Sequence, residues 1–321
     1  MQSQFDPKHR IQYSSRLLVL VGIFILCNFM IFPLIGFSAI AYVYEIGVME
    51  IPNVLASPSA YSYGVNVMLW LQIITSFGGF FVSSFVFLKS YSYPPFEYLK
   101  LNKMPVVKAI LLCLFIIVAN IGIVSLLGGL NYRIPIPEFG GLQEIAARMN
   151  ERASAMMESM LVMNGLSDLL IRLFVMALLP AFVEEVFFRG LLQRFITEWF
   201  GSIWTGIIVS ALVFALFHFR ITQILPIFFV GLLFGYIYYR TGNLYYTILM
   251  HFVHNGSIVI LTYLVRDKDA QAFMQEDYIP GWEWIVPSIF GLVIGVYFLL
   301  KLFPLQPNSK NVLNQNGGDN E

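Results

Sequence analysis

An all-α, polytopic transmembrane bundle of about eight spans is the fold the sequence predicts. Hydrophobic residues make up 58% of the chain and charged residues only 12%, about half the charged share of soluble domains. Apolar runs near the roughly 20 residues needed to cross a bilayer recur along the whole length. Between them, loops rich in Lys and Arg alternate with acidic or mixed loops, as an even-numbered bundle requires.

The elements follow in order. Residues 1–16 are polar and mildly basic, with Lys8, Arg10 and Arg16, and read as a cytoplasmic segment. The run over 17–44 is too long for a signal-peptide core of about 7–15 residues, so it is expected to be a first span kinked at Pro33. An acidic loop over 45–63 precedes a second span over 64–87. Lys89, Lys100, Lys103 and Lys108 then mark a basic loop, and a third span covers 106–130. Residues 132–137 are held extended by two prolines. Leu142, Ile145, Met149, Met156 and Met160 recur at helical spacing among charges, which predicts an amphipathic helix on the membrane surface.

A fourth span begins near 166 and stays helix-compatible to about 199, with Pro180 as a kink. The fifth, sixth, seventh and eighth are expected over 203–219, 223–239, 244–265 and 284–303. The tail 304–321 is polar and Asn/Gly-rich and reads as disordered. Residues 17–303 thus read as a single transmembrane domain. The N-terminus, the 89–108 loop, Arg240 and the Lys301/Lys310 end are basic, which puts both termini in the cytoplasm, in the plasma membrane.

Composition excludes some functions. Lys plus Arg and Asp plus Glu number 19 each, and no basic patch is interleaved with aromatics, so no nucleic-acid partner is expected. Cys27 and Cys113 lie in apolar runs and read as small buried hydrophobes.

The functional signal is a set of ionisable groups inside apolar runs. Residues 182–190, FVEEVFFRG, carry two carboxylates and a guanidinium, each costing about 2.5–3.5 kcal/mol at bilayer depth on insertion scales. Glu185 and Arg189 are spaced to pair on one helix face, while Glu184 is turned about 100° away and left free. His218 closes the fifth span, and His251 and Asn255 lie one turn apart on the seventh. At about 1.5 Å per residue, His251 lies about 10 Å from the basic end and His218 about 22 Å. Glu184 matches His218 only if the fourth helix is continuous, with tilt absorbing the remainder.

The ordered set Glu184-Glu185-x-x-x-Arg189, Phe214-x-x-x-His218 and His251-x-x-x-Asn255 on successive helices resembles the CPBP intramembrane proteases. That family comprises CAAX-type prenyl endopeptidases and bacteriocin-processing or immunity proteins. The resemblance covers about 165–260, and His254 lies outside its pattern. It implies peptide-bond hydrolysis in or near the membrane, on a membrane-tethered protein or peptide. A carboxylate in a water-poor cavity suits general-base work, so Glu184 is expected to activate water with His218. His251 and Asn255 suit an oxyanion hole. Glu185, Arg189 and Phe214 are expected to support them. Glu184, His218 and His251 are also the right types for a three-ligand zinc site, but the His-Glu-x-x-His pattern of soluble proteases is absent, and a metal-free mechanism is favoured. Two other classes stay open: a non-catalytic scaffold or immunity factor, and a proton-coupled transporter, which the lack of a visible inverted repeat disfavours.

Overall fold

The computed structural model describes residues 7–136, 138, 140–265 and 277–304. Expectations placed on the loop 266–276, on the tail 305–321 with Lys310, and on residues 1–6 lie outside the described residues. Among the described residues every regular element is helical. We label the spans α1 (Ile11–Tyr44), α2 (Gly64–Ser90) and α3 (Val107–Tyr132), then the surface helix α4 (Leu142–Met160), then α5 (Leu166–Phe200). The shorter α6 (Ile203–Leu216) follows, with α7 (Ile224–Thr241), α8 (Leu244–Leu264) and α9 (Trp282–Leu302).

Among the described residues seven helices are long and apolar enough to cross a membrane, so this is an integral membrane protein. The fifth apolar run, expected to reach residue 219, stops at Leu216 and falls short of that length. The stop is local: Phe219 takes a left-handed φ of 52°, which a helix cannot continue through. At the other end of the chain, helix is already formed at Pro7, inside the stretch expected to be a polar start. The loop over 45–63 carries short helical turns, among them Ile51–Ala56.

Hydrogen bonds sort the loops into two ends. At one end the side chain of Asn243 donates to the Lys103 carbonyl at 2.9 Å, the Tyr245 hydroxyl to Leu101 at 2.9 Å, and Arg240 to the carbonyl of Phe303. At the other end the Asn131 amide donates to the Ile221 carbonyl at 3.1 Å and accepts from the Leu225 N–H at 2.8 Å. Asn150 of α4 accepts from the N–H groups of Ile221 and Thr222 at 2.9 and 3.4 Å. The predicted amphipathic helix is therefore tied to the α6–α7 turn. Ala146 and Met160 are buried under it, while Ile145 and Met156, expected on one face with Met160, are exposed. Its C-terminal end is held by buried Arg172, which donates to the carbonyls of Met160 and Val162 at 3.2 Å each.

The fourth span, α5, is continuous, as the depth argument required. It is not uniformly α: residues Leu173–Leu178 and Phe188–Leu192 are π-helical turns. The first immediately precedes Pro180, whose ring cannot donate to the Met176 carbonyl one turn back. A wider turn there accommodates the missing bond and bends the helix without breaking it.

Candidate active site

The polar groups of α5, α6 and α8 meet below the α6–α7 turn. Glu185 and Arg189 pair at 3.0 Å with both side chains fully buried. The guanidinium also donates to the Gly231 carbonyl of α7 at 3.2 Å. Its remaining face lies 4.5 Å from the Phe214 ring and 5.5 Å from the Phe234 ring, in cation–π range. Phe214 in turn contacts both histidines, with ring centroids 4.7 Å from His218 and 5.8 Å from His251. Phe214 thus packs between the cation and the two imidazoles.

His251 is the joint of the site. Its Nδ1 lies 3.1 Å from Glu185 Oε1 and its Nε2 lies 3.9 Å from Glu184 Oε2. Because Glu185 is paired with Arg189 and accepts, Nδ1 carries a hydrogen. The Nε2 side is therefore turned to Glu184. The Glu185–His251 contact was not among the sequence expectations, which gave Glu185 to Arg189 alone. No local spacing reveals it, because the two residues sit on different helices and meet only through their rotation.

Glu184 is left free, as its helical position implied. Its side chain is 14% exposed, and Oε2 is buried without a hydrogen-bond partner. His218 lies in the turn after α6 rather than inside the helix, and it is exposed. Its Nδ1 is 2.8 Å from the Phe214 carbonyl. A carbonyl only accepts, so Nδ1 holds the hydrogen and Nε2 keeps its lone pair. Asn255 donates from Nδ2 to the Met176 carbonyl at 3.4 Å, the acceptor that Pro180 leaves without its α-helical donor. That bond fixes the amide plane and leaves the second amide hydrogen for another acceptor.

The depth mismatch expected for His251 does not keep it from Glu184, whose carboxylate lies 3.9 Å from it. At the start of α8 Asn243 is 5% exposed and Leu244 fully buried, and Asn243 is tied to the loop at Lys103.

The donor set does not gather as a metal site. Among the described residues no three His, Cys, Asp or Glu side chains converge as a group able to hold an ion, the trio Glu184, His218 and His251 included.

Fold and site together define a class: a helical membrane protein with two adjacent carboxylates, one of them fully buried, that face the two nitrogens of one histidine. Residues 166–257 match the family model described as Rce1-like, type II CAAX prenyl endopeptidase. The resemblance read from the three motifs is borne out over the segment that contains them. The match supports a CAAX-type intramembrane endopeptidase in general, and with it a membrane-associated substrate. No curated protein and no solved structure matches the chain.

Proposed function

We propose that the chain hydrolyses a peptide bond of a membrane-tethered protein or peptide, with Glu184 as the base. The observation that carries this reading is the enclosed Glu184 oxygen without a partner, beside a histidine whose far nitrogen is held by a second carboxylate. Glu185 and Arg189 cancel each other's charge. One further proton shared between Glu184 and His251 keeps the cluster neutral wherever it resides, which a low-dielectric surround favours.

With that proton on His251, Glu184 is ionised. The oxygen of a water held between Glu184 and the free Nε2 of His218 attacks the substrate carbonyl carbon, and one water proton passes to Glu184. The carbonyl oxygen becomes an oxyanion and accepts from His251 Nε2–H and the spare Asn255 hydrogen. Collapse breaks the C–N bond, and Glu184 returns its proton to the departing nitrogen. The products are a carboxyl and an amine, and Glu184 is ionised again.

The mechanism is proposed without a metal. Zinc analysis of purified active protein tests that part: stoichiometric zinc lost together with activity would overturn it. We also infer that both termini are cytoplasmic, because Lys89, Lys103, Lys108, Arg240 and Lys301 gather at one end of the bundle.

The experiment is cleavage of a peptide panel by Glu184→Gln, His218→Ala and His251→Ala proteins in membranes. The panel holds a prenylated C-terminal cysteine peptide and unprenylated membrane-tethered peptides. Loss of a base lowers the rate about 10²–10⁴-fold at unchanged protein level. A wild-type protein that cleaves nothing, with variants that behave like it in cells, would favour a non-catalytic scaffold.

A further inference from the structure

A cavity lies at the basic end of the bundle, away from Glu184. It has a volume of about 90 Å³ between the last turns of α5, the start of α6 and the end of α7. Lys100, Arg194, Gln193, Thr197, Glu198 and Tyr238 line it. Arg194 is ten residues beyond Glu184 on α5, about 15 Å along the axis, so this cavity is not part of the acid–histidine cluster.

Three observations point to a ligand there. The first is charge. The Lys100 N–H donates to the Glu97 carbonyl at 3.0 Å, but its ammonium has no hydrogen-bond or ion-pair partner among the described residues. Burial first, then the neighbouring Arg194 and Lys103, push its ammonium below the ordinary lysine range. Its nitrogen sits 3.6 Å from where a Cβ on Gly242 would lie, against the end of α7. The second is backbone conformation. Lys100 holds a φ of 56°, a left-handed geometry that non-glycine residues rarely adopt without a reason. The third is an unmet acceptor. Gln193 is 4% exposed and donates from Nε2 to the Gly235 carbonyl at 3.0 Å, yet its Oε1 has no partner.

We propose that this cavity binds a phosphodiester that carries hydroxyl groups, as the headgroup of phosphatidylglycerol does. Lys100 and Arg194 meet the phosphate. Gln193 Oε1 accepts from a hydroxyl, which gives the unmet acceptor a partner beside two cations. Arg194 is already oriented, donating to the Tyr98 carbonyl at 3.2 Å with its guanidinium 4.1 Å from the Tyr98 ring. Basic pockets between transmembrane helices on the cytoplasmic side are where anionic headgroups bind. Bound there, the headgroup links the 98–103 loop to α5 and α7.

The test is native mass spectrometry of the full chain taken from bilayers of equal phosphatidylcholine and phosphatidylglycerol. The wild type retains phosphatidylglycerol preferentially. Lys100→Gln weakens that retention about five-fold, and Lys100→Arg restores it. A parallel arm measures the thermal midpoint in pure phosphatidylcholine bilayers with and without inorganic phosphate. Stabilisation of wild type but not Lys100→Gln by phosphate alone, with no lipid preference, keeps the phosphate chemistry and assigns a soluble source. No lipid preference and no phosphate response, or a Lys100→Gln protein that behaves as wild type in both arms, overturns the proposal.

Discussion

Each nitrogen of His251 faces a different carboxylate, with Glu185 at 3.1 Å from Nδ1 and Glu184 at 3.9 Å from Nε2. The two acids are adjacent in sequence and chemically alike. What separates them is helical rotation: Glu185 turns into the Arg189 guanidinium, and Glu184 turns toward His251 with a buried oxygen that has no hydrogen-bond partner. A buried pair broken on one side leaves an uncompensated charge, at a cost of about 3–5 kcal/mol. Glu185→Gln is therefore expected to lower the thermal midpoint sharply as well as activity, while Glu184→Gln lowers activity with little effect on the midpoint. Equal midpoints for the two variants would contradict the division of roles. The Glu185–Arg189 pair and the freedom of Glu184 were legible because both follow from 3.6 residues per turn. The Glu185–His251 bond was not, because it depends on how two helices are rotated against each other. Nor was the tie of Asn255 to Met176, although Pro180 marked the carbonyl that would need a donor.

α5 supplies three of the seven candidate-site residues, Glu184, Glu185 and Arg189, and runs in one piece through two π-helical turns. Its first π turn is explained by Pro180. The second, Phe188–Leu192, lies where Ser210 of α6 donates to the Phe188 carbonyl at 3.4 Å and where Gly190 meets Leu99 closely. The sequence announced the first bend and hid the second, since no proline sits there. Beyond it, α5 and α6 cross tightly: a Cβ on Gly206 would lie 2.8 Å from the Gln193 carbonyl oxygen. Gln193 is buried in that crossing. A Leu191→Cys protein, changed at a fully buried side chain that does not line the Lys100 cavity, is expected to resist a membrane-impermeant thiol reagent added from either side. Ready labelling would mean that the helix leaves the bilayer early and that Glu184 is not at the depth of His218.

Over the whole molecule, the least buried spans are α1 and α9 and the most buried are α2 and α7. α5 and α8, which carry Glu184 and His251, fall between these extremes. Span count and alternation were legible because hydropathy and Lys/Arg placement act over whole segments. The short α6 was read too long, since the apolar run Phe214–Ala–Leu–Phe continues past the helix into a turn set by Phe219. The turn itself is held by Asn131 and Asn150, from α3 and α4, and this was invisible to a reading that took each span alone. Orientation is tested with Met49 and Met104, 87% and 89% exposed in loops at opposite ends. Met104→Cys is expected to label from the cytoplasmic side only and Met49→Cys from the other side only. The reverse pattern would invert the proposed orientation.

The proposed hydrolysis requires Glu184 and His251 to act as one unit on one water-filled space. A double-mutant cycle of single-turnover cleavage rates, with Glu184→Gln, His251→Ala and the pair, measures this directly. Residues that act together are non-additive when removed, so the double variant is expected to be no slower than the slower single variant. Losses that multiply in the double variant would show two independent contributions and contradict the site described above.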